Sequence, residues 1–190
     1  NIYRDRKIID NEHIIFKELL LRCPQDFSHC RSTFEFLVKM QHYSLPTRLL
    51  DITTNPLIAL YFACKSNQTD DGELITFSLP KEKIKYYDSD TVSVLSNISR
   101  RSKDFKIPDT ENIEEFNNHR DIKYLLHEIR AEKPYFLPLI IPNDLSSVIC
   151  VKPKLDNPRI IRQDSAFFLF GIEKGKNNCA IFPEEYILSK

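Results

Sequence analysis

Apolar positions along the chain change period, and each change marks an element. In "NEHIIFKELLLRC" Ile14, Ile15, Leu19 and, on the same side, Arg22 or Cys23 recur at helical spacing. Asn11 stands at its start and Pro24 stops it. "STFEFLVKMQHY" opens with Ser32 and carries Glu35 three residues on, a capping box, with Phe34, Leu37, Val38 and Gln41 on one face. Pro46 ends that helix and pushes Leu45 towards extended geometry. "TRLLDI" is short and apolar-centred, which predicts a strand. "TTNPLIALYFACKS" predicts a helix capped by Thr54 or Asn55, with Pro56 where a missing N–H costs nothing. Leu57, Ile58, Leu60, Tyr61 and Phe62 surround its axis, so burial on most sides is expected.

The second half reads differently. Asp71-Gly72 is a turn pair, and Leu74, Ile75, Phe77 and Leu79 suit a buried strand. "TVSVLSNISRR" reads as a helix, and "SKDFKIPDTENIEEFNNHRD" as a polar surface excursion. "IKYLLHEIRAEK" is amphipathic, with Ile122, Leu125, Leu126 and Ile129 as its stripe. "LSSVICVKP", "SAFFLFGIE" and "CAIFP" read as strands, and "DNPRIIRQ" repeats the Asn-Pro helix start. The opening "NIYRDRKI" reads as a short strand or a loop. Helices fill the first half and strands the second, which predicts one α+β domain over residues 1–190. Its sheet is expected to be split, strongly bent and mixed or antiparallel, with flanking helices. Beginning at Asn1 rather than Met, the sequence reads as a piece of a longer chain.

Composition narrows the function classes. Lys+Arg and Asp+Glu are 27 each, a balance that argues against a dominant nucleic-acid footprint. The five Cys lack paired spacing, so neither a disulfide framework nor a zinc knuckle is expected. Cys64 and Cys150 read as small core residues, which fits the reducing cytosol. There are three Gly, so a Gly-rich phosphate loop is excluded. No apolar run is long enough to cross a membrane. His29, His119 and His127 have no partner at ligand spacing, and no metal is assigned.

The densest polar cluster is "QHYSLPTRLLDITTNPLIALYFAC". Two readings fit its residues. In one, Arg48 and Asp51 form a salt-bridge and capping knot that locks a turn, with Asp51 accepting from the adjacent helix N-terminus. In the other, the cluster walls a pocket, and the helix start offers N–H groups to a phosphate. His42 suits either a general base or a structural hydrogen bond. A hydrolase using His42 with Asp51 would need a metal or second acid that the sequence does not offer.

This stretch resembles the central signature of the FRG domain family, whose common form runs Gln-His-Tyr-Gly-Leu-Pro-Thr-Arg-Leu-Leu-Asp-Trp-Thr and then an Asn-Pro-Leu helix. "YRD" at Tyr3 matches the first two positions of the family's opening aromatic-Arg-Gly motif, and "RIIRQDSAF" follows its late Arg-Ile-x-x-Gln-x-Gly-x-Phe motif. Asp5, Ser44 and Ser165 stand where the family has Gly, and Ile52 replaces its Trp. The block order is similar to that of ADP-ribosyltransferases. That resemblance implies a NAD-using fold of a bacterial or phage defence or toxin protein, acting on a macromolecular target or phage protein. Arg4, Thr53 and Gln163 would be its catalytic residues, and Arg4, Gln41, His42, Tyr43, Arg48, Asp51 and Thr54 would hold NAD. Gln163 stands where those enzymes have Glu or Gln and cannot ionise, which leaves open a non-catalytic nucleotide- or protein-binding sensor.

Overall fold

The computed structural model describes residues 2–65 and 69–189. The opening segment is neither strand nor loop: a 3-10 turn, Ile2–Arg4, leads into helix α1, Arg6–Asp10. Asp5 is the reason. Its carboxylate accepts from Lys7 N–H (2.8 Å) and Ile8 N–H (3.4 Å) and so caps α1. Helix α2, Glu12–Arg22, follows Asn11, whose side chain does not cap it but donates back to Lys7 O (2.8 Å). Ser32 caps α3, Thr33–His42, by accepting from Glu35 N–H at 3.3 Å. The reciprocal half of the box is shifted by one residue, because Glu35 accepts from Arg31 N–H (2.7 Å). Helix α3 ends in a Schellman motif: Leu45 N–H donates to Met40 O (3.1 Å) and Ser44 N–H to Gln41 O (2.9 Å), with Ser44 at φ 63°.

Strand β1 is Leu49–Thr53, α4 is Pro56–Lys65, β2 is Thr76–Phe77, β3 is Ile84–Tyr86 and α5 is Asp90–Asn97. Then come α6 (Ile113–Asn118), α7 (Arg120–Glu132), α8 (Pro142–Leu145), β4 (Val148–Lys152), α9 (Pro158–Arg162), β5 (Ser165–Phe170) and β6 (Ile187–Ser189). Asn55 and Asn157 cap α4 and α9 by accepting from Leu57 N–H (3.0 Å) and Arg159 N–H (2.8 Å). Helices and strands are mixed, as expected, but they interleave rather than segregate, since α6 to α9 lie in the second half. An open mixed sheet runs β1-β5-β4-β3, with β3 and β4 parallel and the other neighbours antiparallel. A separate antiparallel pair joins β2 to β6. "CAIFP" is not a strand; Cys179 makes one bridge, to Ile172.

Strand alternation divides the core in two. Phe167 and Leu169 of β5, with Ile149 and Val151 of β4, face a core shared with Phe34, Leu37, Leu95 and Leu125 of the helices. Ala166, Phe168 and Phe170, with Val148 and Cys150, face the other way. There Phe168 meets Phe77 and Phe182 edge to face, each at 5.0 Å between ring centroids.

Several expectations of burial fail. Helix α4 buries no residue, and Leu57 is 74% exposed. An all-round apolar helix satisfies the burial pattern only if other elements enclose it, and α4 lies over one sheet face. Cys64, near its end, is exposed as well, whereas Cys150 is buried as expected. Leu74 and Ile75 are exposed, because the strand is only Thr76–Phe77 on a short partner with a register shift. Conversely, the expected surface excursion contains α6 and sends Phe105 and Phe116 into the core.

Candidate functional site

Two distant motifs interlock at the end of β1. Thr53 Oγ1 donates to Gln163 O (2.7 Å) and accepts from Asn55 N–H (3.1 Å). Thr54 N–H donates to Asp164 O (3.0 Å), and Thr54 Oγ1 reaches the same oxygen at 3.4 Å. Asn55 Nδ2 donates to Asp164 Oδ2 (3.0 Å). Asp164 turns the chain at φ 44°, which brings its carbonyl and carboxylate to the start of α4. The expected phosphate cradle is therefore already filled. Asn55 N–H bonds Thr53 Oγ1, Leu57 N–H bonds Asn55 Oδ1, Ile58 and Ala59 N–H bond Asn55 O, and Pro56 has no N–H.

Beside this interlock a cleft of about 420 Å³ opens between β1, α4 and α9. Thr53 and Gln163 both line it, together with Asp51 and Arg159, over an apolar interior that includes Ile52, Phe62 and Phe77. Gln163 Oε1 accepts from Arg159 Nε at 3.3 Å. Among the described residues Arg159 pairs with no carboxylate. It was missed in the sequence, although it stands four residues before Gln163 on a capped helix, where side chains meet.

The remaining candidates lie elsewhere. Gln41 bridges β1 to the end of α3: its Nε2 donates to Asp51 Oδ1 (2.8 Å) and its Oε1 accepts from Thr47 Oγ1. Asp51 thus receives Gln41 instead of the α4 N-terminus. His42 and Tyr43 line a second cavity, of about 380 Å³, with Asn157 and Ile160. His42 Nδ1 lies 3.5 Å from Asn157 Nδ2. Burial and then the Arg159 charge lower its pKa, so neutral imidazole is favoured.

Arg48 has no exposed surface and lines no wall. Its guanidinium grips buried Glu12 through Nε (2.8 Å) and Nη2 (2.7 Å) and touches the Tyr3 hydroxyl, and Lys176 Nζ stands 3.1 Å from the same carboxylate. Arg48 and Asp51 form no salt bridge: Arg48 is fully buried just before β1 and pairs with Glu12, whereas Asp51 is exposed within the strand. Burial opposes ionisation of Glu12, but the two cations outweigh it and hold the carboxyl below its ordinary range. Burial brings Lys176 down to about 8, with Glu12 pulling the other way.

The Arg4 side chain lies outside the described residues. Its backbone turn is anchored at the far end of β1, where Ile2 N–H donates to Thr47 O (3.0 Å) and Tyr3 Oη to Gly171 O (2.9 Å). From Thr47 to Thr53 is roughly 20 Å of extended chain.

This is a mixed helix-and-sheet fold, built on an open mixed sheet, with a candidate ligand cleft at one sheet edge. Residues 3–72 match the model of the FRG domain family, in keeping with the "QHYSLPTRLLD" stretch they contain. The match spans α1 to α4 and the Thr53 side of the cleft; Arg159 and Gln163 lie outside it. No curated protein and no solved structure matches the chain. Among the described residues no helix is long and apolar enough to cross a membrane.

Proposed function

We propose that the chain is a nucleotide-recognising sensor module, and that its ligand sits in the cleft between β1, α4 and α9. The observation that carries this reading is the convergence of Asp51, Thr53, Arg159 and Gln163 around an apolar interior. The planar Arg159 fork suits a phosphate. The Gln163 amide and Asp51 carboxylate suit ribose hydroxyls, and Phe62 and Phe77 offer faces for a base. Binding is favoured over turnover for two reasons. The Thr53 hydroxyl is committed to Gln163 O and Asn55 N–H, and Gln163 cannot ionise to stabilise an oxocarbenium-like centre. The defence setting follows from the FRG likeness alone.

A second reading is an ADP-ribosyltransferase-like fold that turns NAD over. It is favoured by the meeting of Thr53 and Gln163, which lie 110 residues apart. Titration calorimetry with NAD, paired with chromatographic detection of nicotinamide, separates the two. Saturable NAD binding, weakened about tenfold by Arg159→Ala or Gln163→Ala and without nicotinamide release, supports the sensor. Nicotinamide release abolished by Gln163→Ala establishes the enzyme instead. Absence of both binding and release defeats both readings.

A further inference from the structure

We infer that the hollow beneath α4 is a second ligand site, one that takes a free aliphatic carboxylate of medium chain length. The hollow measures about 390 Å³ and lies against the sheet face opposite the main helical core. Its floor runs from Ile52 on β1 past Ala166 on β5 and Cys150 on β4 to Ile84 on β3. That path crosses three strand-to-strand steps, about 14 Å in all. Ala59 of α4 roofs it. The space exists because Ala59, Ala166 and Cys150 are small and because α4 buries no side chain.

The chemistry of the lining selects the occupant. Thr53 Oγ1 and Thr54 Oγ1, which border the hollow, already bond Gln163 O and Asp164 O. Thr76 is the one further hydroxyl residue in the lining, so most of an occupant's length meets apolar side chains, which suits an alkyl chain. The charged group in the lining is Lys152, at the end of β4 with its Nζ 5.7 Å from the Tyr86 ring centroid. Among the described residues Lys152 pairs with no carboxylate, so it is available to an anionic head. An apolar floor about 14 Å long and a single cation among its lining residues together define a chain ending in a carboxylate.

The test uses decanoate as the probe. Calorimetry should show saturable binding, and decanoate should slow N-ethylmaleimide labelling of Cys150 while leaving exposed Cys64 unchanged, read peptide by peptide by mass spectrometry. Ala59→Leu and Ala166→Phe fill the hollow and should each weaken decanoate about tenfold or more. Lys152→Met should weaken decanoate but not decanol. Should Ala166→Phe fail to fold, Ala59→Leu on the solvent-facing helix carries the test. Absence of saturable binding, or affinity unchanged by Ala59→Leu, overturns the proposal. So does affinity lost in Gln163→Ala, which would move the probe into the nucleotide cleft. The hollow adjoins the nucleotide cleft and shares Ala59 and Phe77 with it, so Ala166→Phe and Lys152→Met on one side and Gln163→Ala on the other, at residues that line one space each, separate decanoate from NAD.

Discussion

Glu12→Gln is the sharpest test of how the interior is held together. Glu12 is 5% exposed and is the carboxylate between two buried cations, Arg48 at 2.7 Å and Lys176 at 3.1 Å. The substitution keeps the shape and removes the charge, which leaves two cations in a low-dielectric site without a counterion. Breaking a buried ion cluster in this way costs about 3–5 kcal/mol, a large part of the 5–15 kcal/mol typical of a domain. Urea denaturation followed by far-ultraviolet circular dichroism measures the cost as a lowered midpoint at unchanged slope. The pH dependence follows from Lys176. Its folded pKa is lowered to about 8, so the unfolded chain binds more protons from there up to its ordinary value, and stability rises with pH across that window. Without Glu12 the rise begins lower, and the penalty should be larger at about pH 6 than at about pH 8.5. A penalty under about 1 kcal/mol, or one that does not change with pH, would refute the view that Glu12 neutralises this cluster.

Other substitutions probe the backbone and the caps. Ser44→Gly relieves a left-handed residue at φ 63° and should stabilise by about 1 kcal/mol, raising Tm by about 2–4 °C in thermal denaturation. Gly171→Ala would place a Cβ 2.2 Å from Leu145 O and 2.8 Å from Ser147 O, and should cost at least about 2 kcal/mol in the same urea assay. Asp5→Ala removes the α1 cap and should cost about 1 kcal/mol, whereas Asp5→Gly should cost only a few tenths.

Local chemistry was legible in the sequence, and distant pairing was not. Ser32, Asn55 and Asn157 announced their helices because a cap acts within three residues of itself. The three positions where the FRG likeness has Gly separate cleanly. Ser44 occupies a left-handed C-cap that favours Gly, while Asp5 sits at φ −127° and earns its place as an N-cap, and Ser165 pairs with Thr53 in β5. The buried cluster could not be read, since Glu12 and Lys176 lie 36 and 128 residues from Arg48 and look like surface charges in any local window. Periodicity also misjudged α4. An apolar helix laid over a hollow and one enclosed by a core have the same pattern. The expected site residues fall in different places. Thr53, Gln163 and Asp51 meet in one cleft, whereas His42 and Tyr43 line another cavity, and Arg48 is interior scaffolding.

A structure of the chain crystallised and soaked with NAD tests the central claim most directly. The account predicts ligand density between β1, α4 and α9, with phosphate oxygens within hydrogen-bond distance of Arg159 and a ribose against Gln163. Density in the His42–Asn157 cavity, or on any surface that excludes both Arg159 and Gln163, would contradict it.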